Sequence, residues 1–245
     1  MPAVQHSTRL RTRALVQNLD ILPDVTAKSD STAKRRPGRR IRGLDADQRA
    51  DQRRDLLLET ALELFARDGY AGTSIEALCQ AAYVGNKAFY EHFSTKEACY
   101  LELLQRNTHT IVGTVEAALA DLPDDEATGT RLLASALTHA VTDDPRIAAV
   151  TFGQAAGISP TIERQRRANR RQSATLVSAL WRHYGTDGPH EHLAIAVVGG
   201  LFDLVSDALD RSSYAPTAAD IDELIAQLTD FALVVRAGMR HNHNR

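Results

Sequence analysis

A short run of small and polar side chains, Gly85–Ala88, has the composition of a segment that reads the edges of base pairs. Gly85 and Ala88 are small enough to bring a backbone close to a DNA groove about 12 Å wide. The amide of Asn86 can bind adenine or a phosphate, and the ammonium of Lys87 can bind guanine or a phosphate. Each side chain alone could equally be a solvated polar group, so the prediction depends on the elements that position them.

Hydroxyl, imidazole and ammonium groups flank this run where they could hold DNA phosphates. We expect the hydroxyls of Thr73 and Tyr90 at helix ends, and the ammonium of Lys96 at the start of the next helix. Backbone N–H groups and polar side chains at such positions commonly bind phosphate. For His92 three roles stay open: a phosphate contact, a helix cap, or packing in the core.

Hydrophobic periodicity predicts the helices that position these groups. Apolar residues recur at three- and four-residue steps over residues 57–65 and predict a helix that ends near Gly69. Hydroxyls of Thr73 and Ser74 are expected to cap a short helix that runs to Ala82. A break then leads into a second short helix over residues 86–92. Two short helices joined by a tight turn have the geometry of a helix-turn-helix.

The segment from Leu57 to Leu104 resembles the DNA-binding domain of the tetracycline-repressor (TetR) family of bacterial regulators. The family positions are filled in order by Ala61, Phe65, Gly69, Thr73, Phe89, Tyr90, His92, Phe93, Lys96 and Glu97. The resemblance implies an all-α protein with a three-helix DNA-binding domain (46–106) and a helical effector-binding and dimerisation domain (107–245). It also implies a homodimer that binds a palindromic operator in double-stranded DNA and is released by a small-molecule effector, which describes a repressor.

The chain departs from the family at two positions in the turn. Tyr83 stands where the family usually has Gly, and Gly85 replaces the usual Ser or Thr cap of the second short helix. If the backbone at Tyr83 has a positive φ, the side chain costs about 1–2 kcal/mol relative to Gly. Gly is an acceptable helix cap but a poorer phosphate ligand.

Beyond residue 122 every segment has a helical period, and no alternating strand pattern is present. The expected helices cover 128–142, 145–157, 160–184, 190–211 and 217–237. The last two are apolar on more than one face, which favours one face in the core and one against a second copy. The dimer interface is predicted to include Val197, Leu201, Leu204, Leu224, Leu228 and Phe231.

The resemblance places an effector pocket among the C-terminal helices. Its candidate lining residues are Phe152, Gln154, Trp181, Tyr184 and Phe202. Aromatic residues at helical spacing are also typical of plain core. Five arginines between residues 164 and 171 leave two readings open, an ion-paired surface or a site for an anionic effector. No metal site or cofactor is predicted.

Charge is unevenly divided along the 245 residues: residues 1–106 carry a net +3 and residues 107–245 a net −5. Residues 1–45 are polar, are predicted to be a largely disordered arm, and contain the basic run KRRPGRRIR with Arg39 and Arg40. This run is either a soluble tail or an arm that lies along DNA. Two cysteines, the absence of a secretory signal, and charge within every apolar stretch favour a cytoplasmic protein without a membrane span.

Two other classes of function remain as alternatives. An α-helical enzyme is one, although the sequence contains no GxSxG, P-loop or HExxH motif. An architectural protein that binds DNA through the basic arm without sequence preference is the other, and its affinity would fall steeply with salt.

Overall fold

A computed structural model describes residues 46–153, 157–186 and 188–243. Within these ranges the chain is helical and contains no strand, which confirms the predicted all-α fold. Arg39 and Arg40 lie outside the described residues, so their contact with DNA stays a prediction.

Four helices form the N-terminal part of the molecule: α1 (Ala46–Gly72), α2 (Ile75–Ala81), α3 (Asn86–His92) and α4 (Lys96–Leu119). α1 is broken at Gly69, where φ is 75°, a conformation that Gly adopts without a steric penalty. α2 and α4 begin at the side-chain caps Ser74 and Thr95, each of which accepts an N–H bond from the first turn. The two short helices and their turn therefore form where the sequence predicts them.

The remaining helices are α5 (Glu126–Thr142), α6 (Pro145–Ala148), α7 (Pro160–His183), α8 (Glu191–Arg211) and α9 (Ala218–His243). The sequence predicts one helix over 145–157, but α6 is a single turn that continues into a π-helical turn, Ala149–Gly153. Pro145 and Pro160 occupy first helical turns, where a missing N–H is tolerated.

The N-terminal helices enclose a tight aromatic core. Phe65, Phe89 and Tyr100 are each at most 2% exposed, and the rings of Phe65 and Tyr100 meet edge to face at 5.2 Å. Phe93 is also buried, so Phe89 and Phe93 both belong to the core. Aromatic pairs in this geometry add stability beyond the area that they bury.

In the C-terminal part, α5 packs against α9 and α7 packs against α8. The arginine-rich first half of α7 carries ion pairs from Glu163 to Arg166 at 3.5 Å and to Arg167 at 3.7 Å. These pairs support the reading of this segment as an ion-paired surface.

By length and composition alone, α8 is apolar enough to cross a membrane, although Asp203 and Asp207 interrupt it as the sequence predicts. Core helices of water-soluble proteins pass the same test, and α8 buries Ala194, Val198 and Val205 against its neighbours.

A junction of four residues, Glu59, Tyr100, Arg146 and Val150, joins the two parts of the molecule. The Tyr100 hydroxyl donates to the Val150 carbonyl at 2.8 Å, and Arg146 Nη1 lies 2.8 Å from a Glu59 carboxylate oxygen. Val150 is itself buried in the N-terminal core. The π-helical turn therefore belongs to the C-terminal part in sequence and to the N-terminal core in packing.

Candidate DNA-binding site and effector cavity

The start of α3 presents the predicted reading surface to solvent. Gly85, Asn86 and Lys87 are exposed, Ala88 is half-buried, and Phe89 faces the core. Gly85 caps α3 with an extended backbone and offers no side chain. Since a recognition helix contacts base edges with its N-terminal residues, the geometry suits this task. Tyr90, with 57% of its surface exposed, lies on the same helix and is free to contact a phosphate.

The turn before α3 is a Schellman motif with Tyr83 at its left-handed position. The Val84 N–H donates to the Cys79 carbonyl at 2.9 Å, and the Tyr83 N–H donates to the Gln80 carbonyl at 3.2 Å. This pair of bonds requires a positive φ, and Tyr83 has φ of 53°. The conditional expectation of strain at this residue is thus confirmed.

Thr73 is not a phosphate ligand, which corrects the prediction. Its side chain is 2% exposed, and its hydroxyl donates to the Gly69 carbonyl at 2.8 Å. The exposed Ser74 is the cap of α2 instead, because its hydroxyl accepts the Ala77 N–H at 3.0 Å. Thr73 stabilises the break at the end of α1.

The ammonium of Lys96 binds backbone carbonyls within the domain. Its ammonium donates to the carbonyls of Tyr70 and Thr73, both at 2.7 Å, and lies 4.3 Å from the centre of the Tyr70 ring. Partial burial lowers the pKa of this ammonium. Lys96 therefore joins the start of α4 to the end of α1, and its contact with a DNA phosphate stays a prediction.

His92 faces the interior in part. Its Nε2 is buried and has no hydrogen-bond partner among the described residues. Since that atom cannot reach solvent, a phosphate contact through Nε2 is wrong, and of the three open roles packing is favoured. Of the residues predicted to contact DNA, Gly85, Asn86, Lys87 and Tyr90 are exposed, and their contact with DNA stays a prediction.

Comparison with known proteins identifies this domain. Residues 57–103 match the family model described as bacterial regulatory proteins, tetR family. The chain carries a TetR-family helix-turn-helix domain. The match covers the helices and turn described above and ends within α4.

Curated relatives of the TetR-family domain include both an activator and a repressor of transcription. The chain is 36% identical over 75 residues to the HTH-type transcriptional activator FasR of Mycolicibacterium smegmatis, covering 31% of this chain and 34% of that protein. It is 31% identical over 80 residues to the HTH-type transcriptional repressor NicS of Pseudomonas putida, covering 32% and 37%. The matched segment thus spans about a third of the length of these relatives.

Solved structures share the fold over most of their length. The regulator FadR from Bacillus subtilis, in complex with stearoyl-CoA, aligns with a TM-score of 0.62 at 14% identity, over 73% of this chain and 96% of that chain. FadR from Bacillus halodurans aligns with a TM-score of 0.64 at 16% identity, over 74% and 94%. At these identities the likeness establishes the fold of the helices that follow the TetR-family domain.

The helices behind the TetR-family domain enclose an apolar cavity of about 110 Å³. Its walls come from α4, α5, α7, α8 and α9, and Thr130 and Ser173 supply hydroxyls to an otherwise apolar lining. Of the predicted lining residues, Trp181 and Phe202 are present. A volume of this order is many times that needed for one water molecule and suits an apolar ligand.

Three predicted lining residues have other positions. Phe152 lies behind the wall, with its ring 5.1 Å from that of Phe202. Tyr184 donates its hydroxyl to the Pro123 carbonyl at 2.7 Å and does not line the cavity. Gln154 lies outside the described residues. Phe152 and Tyr184 therefore do not line this cavity, and their role in effector binding stays a prediction.

The predicted dimer interface also needs correction. Val197, Leu224 and Leu228 are each at most 4% exposed within one protomer, so they belong to its own core. Leu201, Leu204 and Phe231 are half-buried and pack against the same core. On α8 and α9, Ala196, Ala226, Val234 and Ala237 are exposed, and Gly199, one turn after Ala196, is half-buried. We call this set the outer face.

Proposed function

We propose that the protein is a ligand-responsive transcriptional regulator, specifically a repressor, that binds a palindromic operator as a homodimer in the cytoplasm. The observation that carries the proposal is the reading surface at the start of α3, on a domain that is packed against a second domain with an apolar cavity. Because the relatives include both a repressor and an activator, repression must be tested by measuring transcription from the operator.

DNA recognition is assigned to Asn86 and Lys87, supported by Tyr90. Both residues at the helix start are exposed and unshielded by neighbouring side chains. In a two-fold dimer, the two copies of α3 would enter successive major grooves about 34–36 Å apart. This spacing predicts an operator with two inverted half-sites.

Dimerisation is assigned to the outer face. Val234 is 71% exposed, an unusual position for a valine near the middle of a long helix. A methyl group added at Gly199 would meet no described atom of another helix within 4 Å, so α8 is open to close approach there. Small residues on neighbouring helices favour a four-helix contact between two copies.

The effector is assigned to the apolar cavity. The B. subtilis FadR structure contains stearoyl-CoA, which supports an apolar effector for a regulator of this fold. The cavity, at about 110 Å³, is similar in size to one of about 150 Å³ that binds benzene. An acyl chain would require the walls to move apart.

The π-helical turn provides a route from the cavity to the DNA-binding domain. Phe202 lines the cavity and contacts Phe152 in the turn, and two residues earlier Val150 accepts the Tyr100 hydroxyl bond. An effector that displaces Phe202 would shift this turn against α4. A coupling free energy of about 1–3 kcal/mol would change DNA affinity about 5–150-fold.

Footprinting and gel-shift titration on the DNA upstream of the gene test the DNA-binding role. We expect a palindromic footprint, and we expect Lys87→Ala to weaken operator binding by about 1–3 kcal/mol. Arg171→Ala is the matched control, because Arg171 is exposed but lies on α7, in the other domain. Equal effects of the two substitutions would contradict a specific role for α3.

The same titration decides between the proposal and the alternatives. An architectural protein would bind random and upstream DNA equally, and its affinity would depend on the arm rather than on α3. Truncation before Leu44 removes Arg39 and Arg40 and should flatten the salt dependence of binding if the arm contacts phosphates. An enzyme with no operator would leave no footprint at all.

A further inference from the structure

Tyr83 combines two properties that are unfavourable for folding. Its side chain is 96% exposed, more than any other exposed large hydrophobic residue in the described part of the chain. Its φ of 53° lies in the left-handed region, which favours Gly over a residue with a side chain.

No packing by the described residues compensates for this conformation. The other tyrosine with positive φ, Tyr214, donates its hydroxyl to Asp210 at 3.0 Å and covers Gly153. The Tyr83 side chain, by contrast, makes no hydrogen bond and no ring contact with the described residues. Its backbone holds the Schellman turn, a task that Gly performs with less strain. Backbone strain that persists without local compensation marks a candidate functional residue.

The position of Tyr83 indicates what its hydroxyl would contact. It lies two residues before Gly85, the cap of α3, at the end of the helix that enters the groove. The chain that leads into a recognition helix passes the edge of the major groove, where the phosphates lie. Tyrosine hydroxyls are among the groups that commonly bind DNA phosphates.

We propose that Tyr83 is an additional DNA-contacting residue, whose hydroxyl donates a hydrogen bond to an operator phosphate. This inference rests on the proposed function, since it requires an operator bound by α3. In the free protein, the strained backbone of Tyr83 lowers stability. In the complex, the Tyr83 hydroxyl raises the affinity for the operator.

Three variants separate strain from contact. Tyr83→Phe keeps the strain and the ring but removes the hydroxyl, whereas Tyr83→Gly removes all three. Ser213→Gly is the matched control: Ser213 has φ of 51° in a Schellman turn at the end of α8, with the Tyr214 N–H donating to the Leu209 carbonyl. It relieves the same backbone conformation far from DNA.

Operator affinity is measured by fluorescence anisotropy, and thermal stability by calorimetry. We expect Tyr83→Gly to raise Tm and to weaken operator binding about tenfold, and Tyr83→Phe to weaken binding about as much with no gain in Tm. Ser213→Gly should raise Tm without changing affinity. The salt dependence should be unchanged in both Tyr83 variants, because a neutral hydroxyl releases no counterion.

The outcomes distinguish this inference from the proposed function. A wild-type protein that shows no operator preference overturns both. A wild-type protein that binds its operator, with Tyr83→Phe binding equally well, overturns the Tyr83 contact and leaves the regulator intact.

Discussion

The two domains differ in how completely they fill their interiors. In the N-terminal core, Leu57, Ala61 and Leu78 have no exposed surface. The C-terminal helices surround about 110 Å³ of empty apolar space. Close packing transmits strain with little compression, whereas a cavity lets walls move. A closely packed domain that presents α3 and a second domain with a cavity fit the proposed control of DNA binding by a ligand.

The strongest test of this difference is the same substitution in both interiors. Ala61→Leu forces three extra carbons into a site with no exposed surface and should lower the free energy of unfolding by about 3 kcal/mol. Ala134→Leu places the same carbons at the cavity wall and should change it by less than about 1 kcal/mol. Urea unfolding measures both.

Ala134→Leu should also reduce ligand binding, because it fills the space that the effector is proposed to occupy. The fluorescent apolar probe anilinonaphthalene sulfonate reports this binding directly, with Ala61→Leu as the comparison at a temperature where that variant is folded. Equal stability losses for the two variants would show that the cavity is closed in solution.

The next test concerns the two lysines of the DNA-binding domain. Lys96→Met removes an ammonium that satisfies the carbonyls of Tyr70 and Thr73, and should lower the free energy of unfolding by about 2 kcal/mol. Lys87→Met should leave stability unchanged but weaken operator binding, because Lys87 is exposed. A Lys96→Met variant that folds with wild-type stability yet loses operator affinity would show that Lys96 binds a DNA phosphate.

The lysines also show what the sequence could and could not predict. Helix bounds, the buried Phe89 and the exposed Lys87 follow from local periodicity and could be predicted. The partners of Lys96 lie 26 and 23 residues away in the chain, so only the tertiary fold brings them together. The strain at Tyr83 was predictable because the family has Gly at that position.

The C-terminal domain was less predictable for a different reason. An apolar stripe on a helix shows that a face is covered, but not whether the covering helix belongs to the same protomer. The sequence therefore predicts Leu224 and Leu228 at the dimer interface, whereas both lie in the protomer's own core. Likewise, the ring of Phe202 lies between Phe152 and the cavity, and the spacing of aromatic residues in the sequence does not show which of the two lines it.

The connection between the two domains can be tested at a single hydroxyl. Tyr100→Phe leaves the Val150 carbonyl without its donor and should lower the free energy of unfolding by about 1 kcal/mol. Because coupling is reciprocal, operator DNA should change the affinity of the apolar probe for the cavity, and this change should shrink in Tyr100→Phe. Tyr184→Phe removes a similar bond, to the Pro123 carbonyl, away from the junction and should leave the coupling intact.

The smallest expected change in protomer stability concerns two adjacent glycines of α8. A methyl group at Gly200 would lie 2.5 Å from the Phe231 ring, so Gly200→Ala should disturb the protomer itself. Gly199→Ala meets no described atom of another helix within 4 Å and should stabilise α8 by up to about 1 kcal/mol. If the outer face is the dimer interface, however, the same methyl group stands between the two copies and weakens their association. Sedimentation equilibrium on Gly199→Ala should therefore show a more stable protomer and a weaker dimer. If the dimer were unchanged, the interface would lie on another surface, because a methyl group at the point of closest approach should weaken association.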